Sequence, residues 1–131
     1  MVASLDIVTG GGGFIGSHLV DRLLDEGRRV RVVDNFSVGN PRNLEQHRDN
    51  PRLEVVTSDI GEEPLGSLFE GAERVFHLAA RADIVPSVQN PGVYFRSNVD
   101  GTYAVVEAAR AAGVKRLVYT ASSSCYGIPD A

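Results

Sequence analysis

The stretch Leu5-Asp6-Ile7-Val8-Thr9-Gly10-Gly11-Gly12-Gly13-Phe14-Ile15-Gly16-Ser17-His18-Leu19-Val20 decides the fold of this chain. An apolar run from Leu5 to Val8 gives way to four glycines, and helical periodicity follows. Strand, tight turn and helix start, in that order, make a seat for the pyrophosphate of a dinucleotide. Glycine lets backbone N–H groups approach a phosphate with no Cβ in the way, and the helix N-terminus adds partial positive charge. Two registers fit, Gly11-x-Gly13-x-x-Gly16 and Gly10-x-x-Gly13-x-x-Gly16. Both contain Gly13 and Gly16.

The context strengthens the pattern. Ile15, Leu19 and Leu23, with Val20 and Leu24, recur at i, i+4 spacing and predict an amphipathic helix ending near Glu26-Gly27. Arg29-Val30-Arg31-Val32-Val33 reads as a second strand closing on Asp34-Asn35. Asp34 follows Gly16 by 18 residues, where a carboxylate can accept hydrogen bonds from ribose hydroxyls. The same carboxylate repels a 2′-phosphate, which favours NAD over NADP. Arg28, Arg29 and Arg31 are read as a solvated face, because Arg29 and Arg31 alternate with apolar positions and Arg28 precedes the strand.

The 131 residues suffice for one domain with a real core, and 43% hydrophobic with 23% charged content is ordinary for a globular protein. A net charge of −4 without a basic stripe argues against nucleic acid as a partner. No apolar run reaches transmembrane length, and no signal-like start is present, so neither a membrane nor export is expected. The single cysteine, Cys125, fits a reducing compartment, and the expected location is cytoplasmic. His18, His47 and His77 are scattered, so no metal site is inferred.

Strand-like and helix-like stretches alternate along the whole chain, the pattern of an α/β protein with a parallel sheet. The expected strands are 5–9, 29–34, 53–57, 74–78 and 116–121; the expected helices are 14–26, 41–47, 64–69 and a long one over 91–112. Asn90-Pro91 opens the long helix as cap and first-turn proline, and Gly113 closes it. Right-handed crossovers give a doubly wound Rossmann fold of about five strands with helices on both faces. Ligands then bind at the carboxyl ends of the strands. Residues 1–131 read as a single domain, with 37–52 as a surface connection.

Those carboxyl ends carry the remaining candidates. Asp59, beyond the third strand, either bonds an adenine amino group or caps a helix. His77-Leu78-Ala79-Ala80 ends the fourth strand in small residues that let a cofactor lie close, or that simply pack. His77 reads as a satisfied strand histidine in preference to a catalytic base. The serines of Ala121-Ser122-Ser123-Ser124-Cys125-Tyr126-Gly127 either bond a substrate hydroxyl or cap a turn.

Taken with Asp34-Asn35, Asp59-Ile60, His77-Leu78-Ala79-Ala80, Asn98-Val99-Asp100-Gly101-Thr102 and Ser122 to Gly127, the glycine-rich string resembles the extended short-chain dehydrogenase/reductases. More narrowly, it is similar to their NAD-dependent nucleotide-sugar epimerase/dehydratase branch, of UDP-glucose 4-epimerase type. The resemblance covers essentially the full chain. It implies that Gly10, Gly13 and Gly16, with the amides of Phe14 and Ile15, hold the NAD pyrophosphate. It implies that Asp34, Asn35, Ser37 and Gly39 hold the adenosine ribose and its surroundings, and that Asp59 and Ile60 flank adenine. Leu78, Ala79 and Ala80 would line the path to the nicotinamide ribose, with Asn98 beside the cofactor. Asn98 read without the resemblance is a solvent-facing polar residue. Ser122 stands at the family's catalytic serine or threonine. Ser123 and Ser124 stand where 4,6-dehydratases carry an Asp-Glu pair, so as substrate-side residues they argue against dehydration.

The family's tyrosine and lysine form Tyr-x-x-x-Lys, and this chain has no such pair. Its one lysine is Lys115, preceded four residues earlier by Ala111, and the four tyrosines are followed at that spacing by Asn98, Glu107, Ser123 and Asp130. The expectation is the N-terminal, cofactor-binding portion of a longer nucleotide-sugar epimerase, cut before its substrate-binding part and inactive alone. A nucleotide-sugar dehydratase or decarboxylase, a silent NAD-binding or redox-sensing module, and a Rossmann-like domain without cofactor are the competing readings. The implied substrate is a UDP-sugar, and a homodimer through the long helix is plausible within this family.

Overall fold

Every residue of β1 (Leu5–Thr9) is buried, and the other elements are disposed around it. The computed structural model describes residues 2–130. Met1 and Ala131, the two ends of the expected domain 1–131, lie outside the described residues. After β1 come α1 (Phe14–Asp25), β2 (Arg29–Asp34), a 3₁₀ segment (Pro41–His47), β3 (Leu53–Thr57), α2 (Gly66–Phe69) and β4 (Ala72–His77). Then follow α3 (Ile84–Gln89), α4 (Pro91–Phe95), a π-helical turn (Arg96–Asp100), α5 (Gly101–Ala111), β5 (Arg116–Tyr119) and a 3₁₀ turn (Ser123–Tyr126). The strands form one parallel sheet in the order β3-β2-β1-β4-β5. The chain adds β2 and β3 on one side of β1 and then β4 and β5 on the other, so a crevice opens at the carboxyl ends of β1 and β4 where the order switches. The expected doubly wound Rossmann fold is the fold observed.

The period-2 alternation of the strands divides the core into two layers. Leu5, Ile7, Val33 and Val75 face α2 and α5 and pack with Phe69, Val105, Ala108 and Ala109. Val8, Val30 and Val32 face the other way, against Val20, Leu23 and Leu24 of α1 and Leu44 of the 3₁₀ segment. Helix α1 therefore buries the stripe that its i, i+4 spacing predicts.

Several details depart from the sequence reading. The fourth strand spans 72–77 rather than 74–78, and the fifth stops at Tyr119 rather than 121, leaving Ser122 in the following loop. The long helix over 91–112 is α4 and α5 joined by the π-helical turn, which shifts the face of every residue after Phe95. Helix α3 precedes it, where the sequence reading placed no helix. Asn90 stands at the N-cap with Pro91 behind it, yet its side chain makes no capping hydrogen bond.

The run Leu5 to Val8 is also not uniformly apolar, because Asp6 is fully buried within it. Its Oδ1 accepts from Arg28 Nη2 at 2.6 Å and Arg74 Nε at 2.9 Å; its Oδ2 accepts from Arg28 Nε at 2.8 Å and Arg74 Nη2 at 2.5 Å. The register of β1 against β4 skips Glu73, which turns to meet Arg28 and Lys115. Burial by itself raises the Asp6 pKa, but the two guanidinium forks outweigh it and hold the carboxyl below its ordinary value. Arg28 is thus an ion-pair partner, as is Arg31 with Glu54, and the solvated-face reading of these two gives way. Replacing Asp6 by Ala leaves both forks without their acceptor. The expected cost is about 3 kcal/mol in urea denaturation, the low end for a broken buried pair because both arginines keep some solvent contact.

Candidate functional site

At the carboxyl ends of the strands the chain encloses about 600 Å³ of space open to solvent. Its floor is the turn after β1. Gly10 has φ of +72°, and a Cβ there would lie 2.7 Å from the Ala79 backbone N. A Cβ on Gly16 would lie 2.2 Å from the Gly10 carbonyl oxygen. Only glycine at both positions lets the start of α1 close onto the turn and the β4 loop close onto Gly10. Gly13 shares the lining with Gly10, while Gly11 is buried against Val32 away from it. Gly10, Gly13 and Gly16 are thus the glycines that shape this turn on its crevice side.

The adenosine-side candidates converge on the same crevice. Asp34 is buried, its Oδ2 accepting from the Gly12 N–H at 2.9 Å and its Oδ1 from the Phe36 N–H at 2.8 Å. Each oxygen retains a lone pair for an incoming hydroxyl. Asn35 donates through Nδ2 to Asp59 Oδ2 at 2.7 Å, tying the loop after β2 to the loop after β3. Asp59 Oδ1 accepts from the Gly61 N–H at 2.8 Å, so it caps a turn where no helix begins. Gly39 lies against Gly12 and Asp34, and Ser37, Ile60, Leu78, Ala79 and Ala80 complete the lining from the predicted set.

Four predicted cofactor residues stand outside that lining. Gly16 supports it from beneath, and Phe14 and Ile15 are exposed at the start of α1 with only their backbones near the turn. Asn98 turns inward, its Oδ1 accepting from the Arg81 N–H at 2.8 Å and its Nδ2 donating to the Arg81 carbonyl at 2.9 Å. The solvent-facing reading of Asn98 is thereby overturned, and Asn98 fastens the loop that lines the crevice. Ser122, Ser123 and Ser124 are exposed and outside the lining; Ser122 Oγ accepts from the Ser124 N–H at 3.1 Å as a turn cap.

The sequence reading missed Ser58, Val38, Arg81 and Ser97, all of which line the crevice. Ser58 and Val38 adjoin quoted residues and could have been found by proximity. Arg81, in the loop after β4, and Ser97, in the π-helical turn, are joined by a 3.3 Å Nε–Oγ hydrogen bond, a tertiary contact that leaves no periodic signal. Among the described residues no group of three His, Cys, Asp or Glu could hold a metal ion, and no helix is long and apolar enough to cross a membrane.

The chain matches the NAD dependent epimerase/dehydratase family over residues 7–131. It belongs to that family. It is 43% identical over 128 residues to the UDP-glucose 4-epimerase of Mycolicibacterium smegmatis, covering 95% of this chain and 41% of the relative. It is 42% identical over 123 residues to UDP-glucuronic acid decarboxylase 4 of Arabidopsis thaliana, covering 94% of this chain and 27% of the relative. The dTDP-glucose 4,6-dehydratase DesIV of Streptomyces venezuelae, solved with NAD bound, superposes with a TM-score of 0.91 at 34% identity, over 97% of this chain and 42% of that one. The chain thus spans well under half the length of these relatives, which include an epimerase, a decarboxylase and a dehydratase. NAD is the family's cofactor.

His77 lies beneath the crevice, almost fully buried, with Nδ1 2.6 Å from Thr9 Oγ1 and Nε2 2.8 Å from Thr102 Oγ1. Burial pushes its pKa down to about 4. The unfolded chain binds this proton near pH 6.5 and the folded chain only near 4, so the folded state loses stability as pH falls through that window. The expected slope approaches ~1.4 kcal/mol per pH unit. Urea denaturation between pH 4 and 7 measures it, and the His77→Gln variant flattens that part of the profile.

Proposed function

We propose that this chain binds NAD in the crevice at the β1/β4 switch point, as the cofactor-holding part of a nucleotide-sugar epimerase acting on a UDP-sugar. The observation carrying the reading is the conjunction of a Gly10–Gly13–Gly16 cradle with a buried, amide-anchored Asp34 across one crevice. The cradle has room for a pyrophosphate only because no Cβ intrudes, so the residues present fit the cofactor. Gly13 and the first amides of α1, Phe14 and Ile15, would receive the pyrophosphate, and Asp34 with Asn35, Ser37 and Gly39 would receive the adenosine ribose. Asp59 and Ile60 would border the adenine, and Leu78 to Ala80 the path onward, steadied by Asn98. Bound NAD supplies a reversible hydride acceptor for a sugar carbinol carbon.

Ser122 is proposed as the hydroxyl that hydrogen-bonds the reacting sugar oxygen, with Ser123 and Ser124 beside it. The sequence contains no Tyr-x-x-x-Lys. The proposal for these 131 residues is therefore cofactor binding without turnover. Serines at 123 and 124 favour epimerisation over dehydration, since elimination of water calls for carboxyl groups as acid and base. The decarboxylases among the relatives support a second reading, decarboxylation of a UDP-sugar acid. A second copy of the chain is proposed to pack on the exposed apolar residues Phe95, Val99, Tyr103 and Val106.

Calorimetric titration tests the cofactor reading. NAD is expected to bind more tightly than NADP, and Asp34→Ala is expected to weaken NAD while narrowing that preference, because the repulsion of the 2′-phosphate goes with the carboxylate. Tighter NADP binding by the wild type would refute the ribose assignment. Gly16→Ala is expected to abolish binding of both, since its Cβ collides with the Gly10 carbonyl. Interconversion of UDP-glucose and UDP-galactose by the 131-residue chain, above a heat-killed control, would refute the claim of binding without turnover.

A further inference from the structure

We propose that Arg81 sets the redox preference of the crevice: its uncompensated guanidinium stands on the nicotinamide side and disfavours oxidised NAD, whose ring is cationic, relative to NADH, whose ring is neutral. This inference rests on the crevice being the NAD site with the adenosine ribose on Asp34.

The crevice is electrically polarised. The charged side chains in its lining are Asp34, Asp59 and Arg81. Asp34 ends β2 and Asp59 follows β3, whereas Arg81 follows β4. In the sheet order β3-β2-β1-β4-β5 the two carboxylates fall on one side of β1 and the guanidinium on the other. At ordinary strand spacing β2 and β4 lie about 10 Å apart. The glycine cradle sits between them, at the end of β1. A dinucleotide with its pyrophosphate on that cradle and its adenosine ribose on Asp34 sends its other half toward Arg81.

The backbone of Arg81 is fixed at both its N–H and its carbonyl by Asn98. Its guanidinium is half-buried and makes one side-chain hydrogen bond, from Nε to Ser97 Oγ at 3.3 Å. A hydroxyl carries no charge, so this contact leaves the cation uncompensated. Among the described residues no carboxylate pairs with Arg81, in contrast to Arg28, Arg31 and Arg74. Asp83 and Asp100, at either end of the helices that follow, are exposed and outside the lining. His77, beneath the same loop, is bonded to two hydroxyls and adds no charge. Oxidised NAD and NADH share their pyrophosphate, riboses and adenine and differ by the positive charge on the nicotinamide ring. Attraction between Arg81 and the pyrophosphate, and any shape Arg81 gives the loop, therefore act on both forms alike. Repulsion of the ring acts on the oxidised form alone. Arg81 thus biases the bound cofactor toward the form that holds the hydride.

The test is calorimetric titration of the full 131-residue chain with oxidised NAD, NADH and ADP. Arg81→Gln is expected to shift the ratio of the NAD and NADH affinities about fivefold toward the oxidised form. That is the effect of one unit charge roughly 8 Å from the ring in a half-solvated site. Arg81→Lys, which keeps the charge, is expected to hold the ratio within about twofold of wild type. ADP lacks the ring and reports the phosphate contribution, which divides out of the ratio. An unchanged ratio in Arg81→Gln overturns the proposal, and equal losses for all three ligands would assign Arg81 to the pyrophosphate instead. A ratio shifted as far by Arg81→Lys as by Arg81→Gln also overturns it, because shape and not charge would then be responsible. A wild type that binds none of the three overturns the cofactor reading, and this proposal with it. Arg81→Met carries the same comparison should the glutamine variant fail to fold.

Discussion

The approach of Gly16 to the carbonyl of Gly10, too close for any Cβ, is the constraint on which the rest of this structure depends. It brings the first turn of α1 down onto the end of β1, which lays Val20, Leu23 and Leu24 over the sheet. The same contact leaves the early amides of α1 facing the crevice instead of a side chain. Packing and site are therefore one requirement. Opening the turn would remove the anion seat and lift the helix from its layer together.

Two buried polar groups mark the opposite ends of β1 and solve the burial problem in opposite ways. Asp6 remains charged because two arginines surround its carboxylate with four N–H donors. His77 remains neutral because its partners are hydroxyls, and burial offers its cation nothing in return. One arrangement ties β1, β2 and β4 together at the end away from the crevice. The other joins β1, β4 and α5 under the crevice without placing a charge beneath a dinucleotide.

The similarity to epimerases, decarboxylases and a dehydratase follows from what this part of the fold does. A cradle for NAD is indifferent to the reaction that follows, and relatives named for different reactions match this same stretch of chain. The residues proposed to favour one reaction over another lie after β5. Ser122 to Ser124 are exposed there, in a short turn held by a single side-chain cap.

The strand–glycine–helix string, the second strand ending in Asp34 and the alternation of strands and helices were enough to determine a parallel Rossmann sheet, and they also grouped most crevice residues. Those features are local: each depends on periods of 2 or 3.6 and on turn glycines that act within a few residues. Tertiary structure alone decided the rest. Asp6 reads as an interruption of an apolar strand until Arg28 and Arg74 are seen around it. The apolar residues Val99, Tyr103 and Val106 face solvent while Asn98 and Thr102 face inward, which their spacing does not settle. The π-helical turn rotates α5 relative to α4, and nothing in the spacing records that rotation. Thr9 and His77 stand 68 positions apart, and only parallel pairing of β1 with β4 makes them neighbours. Periodicity reports which face of an element is apolar, whereas pairing and helix register determine what that face meets.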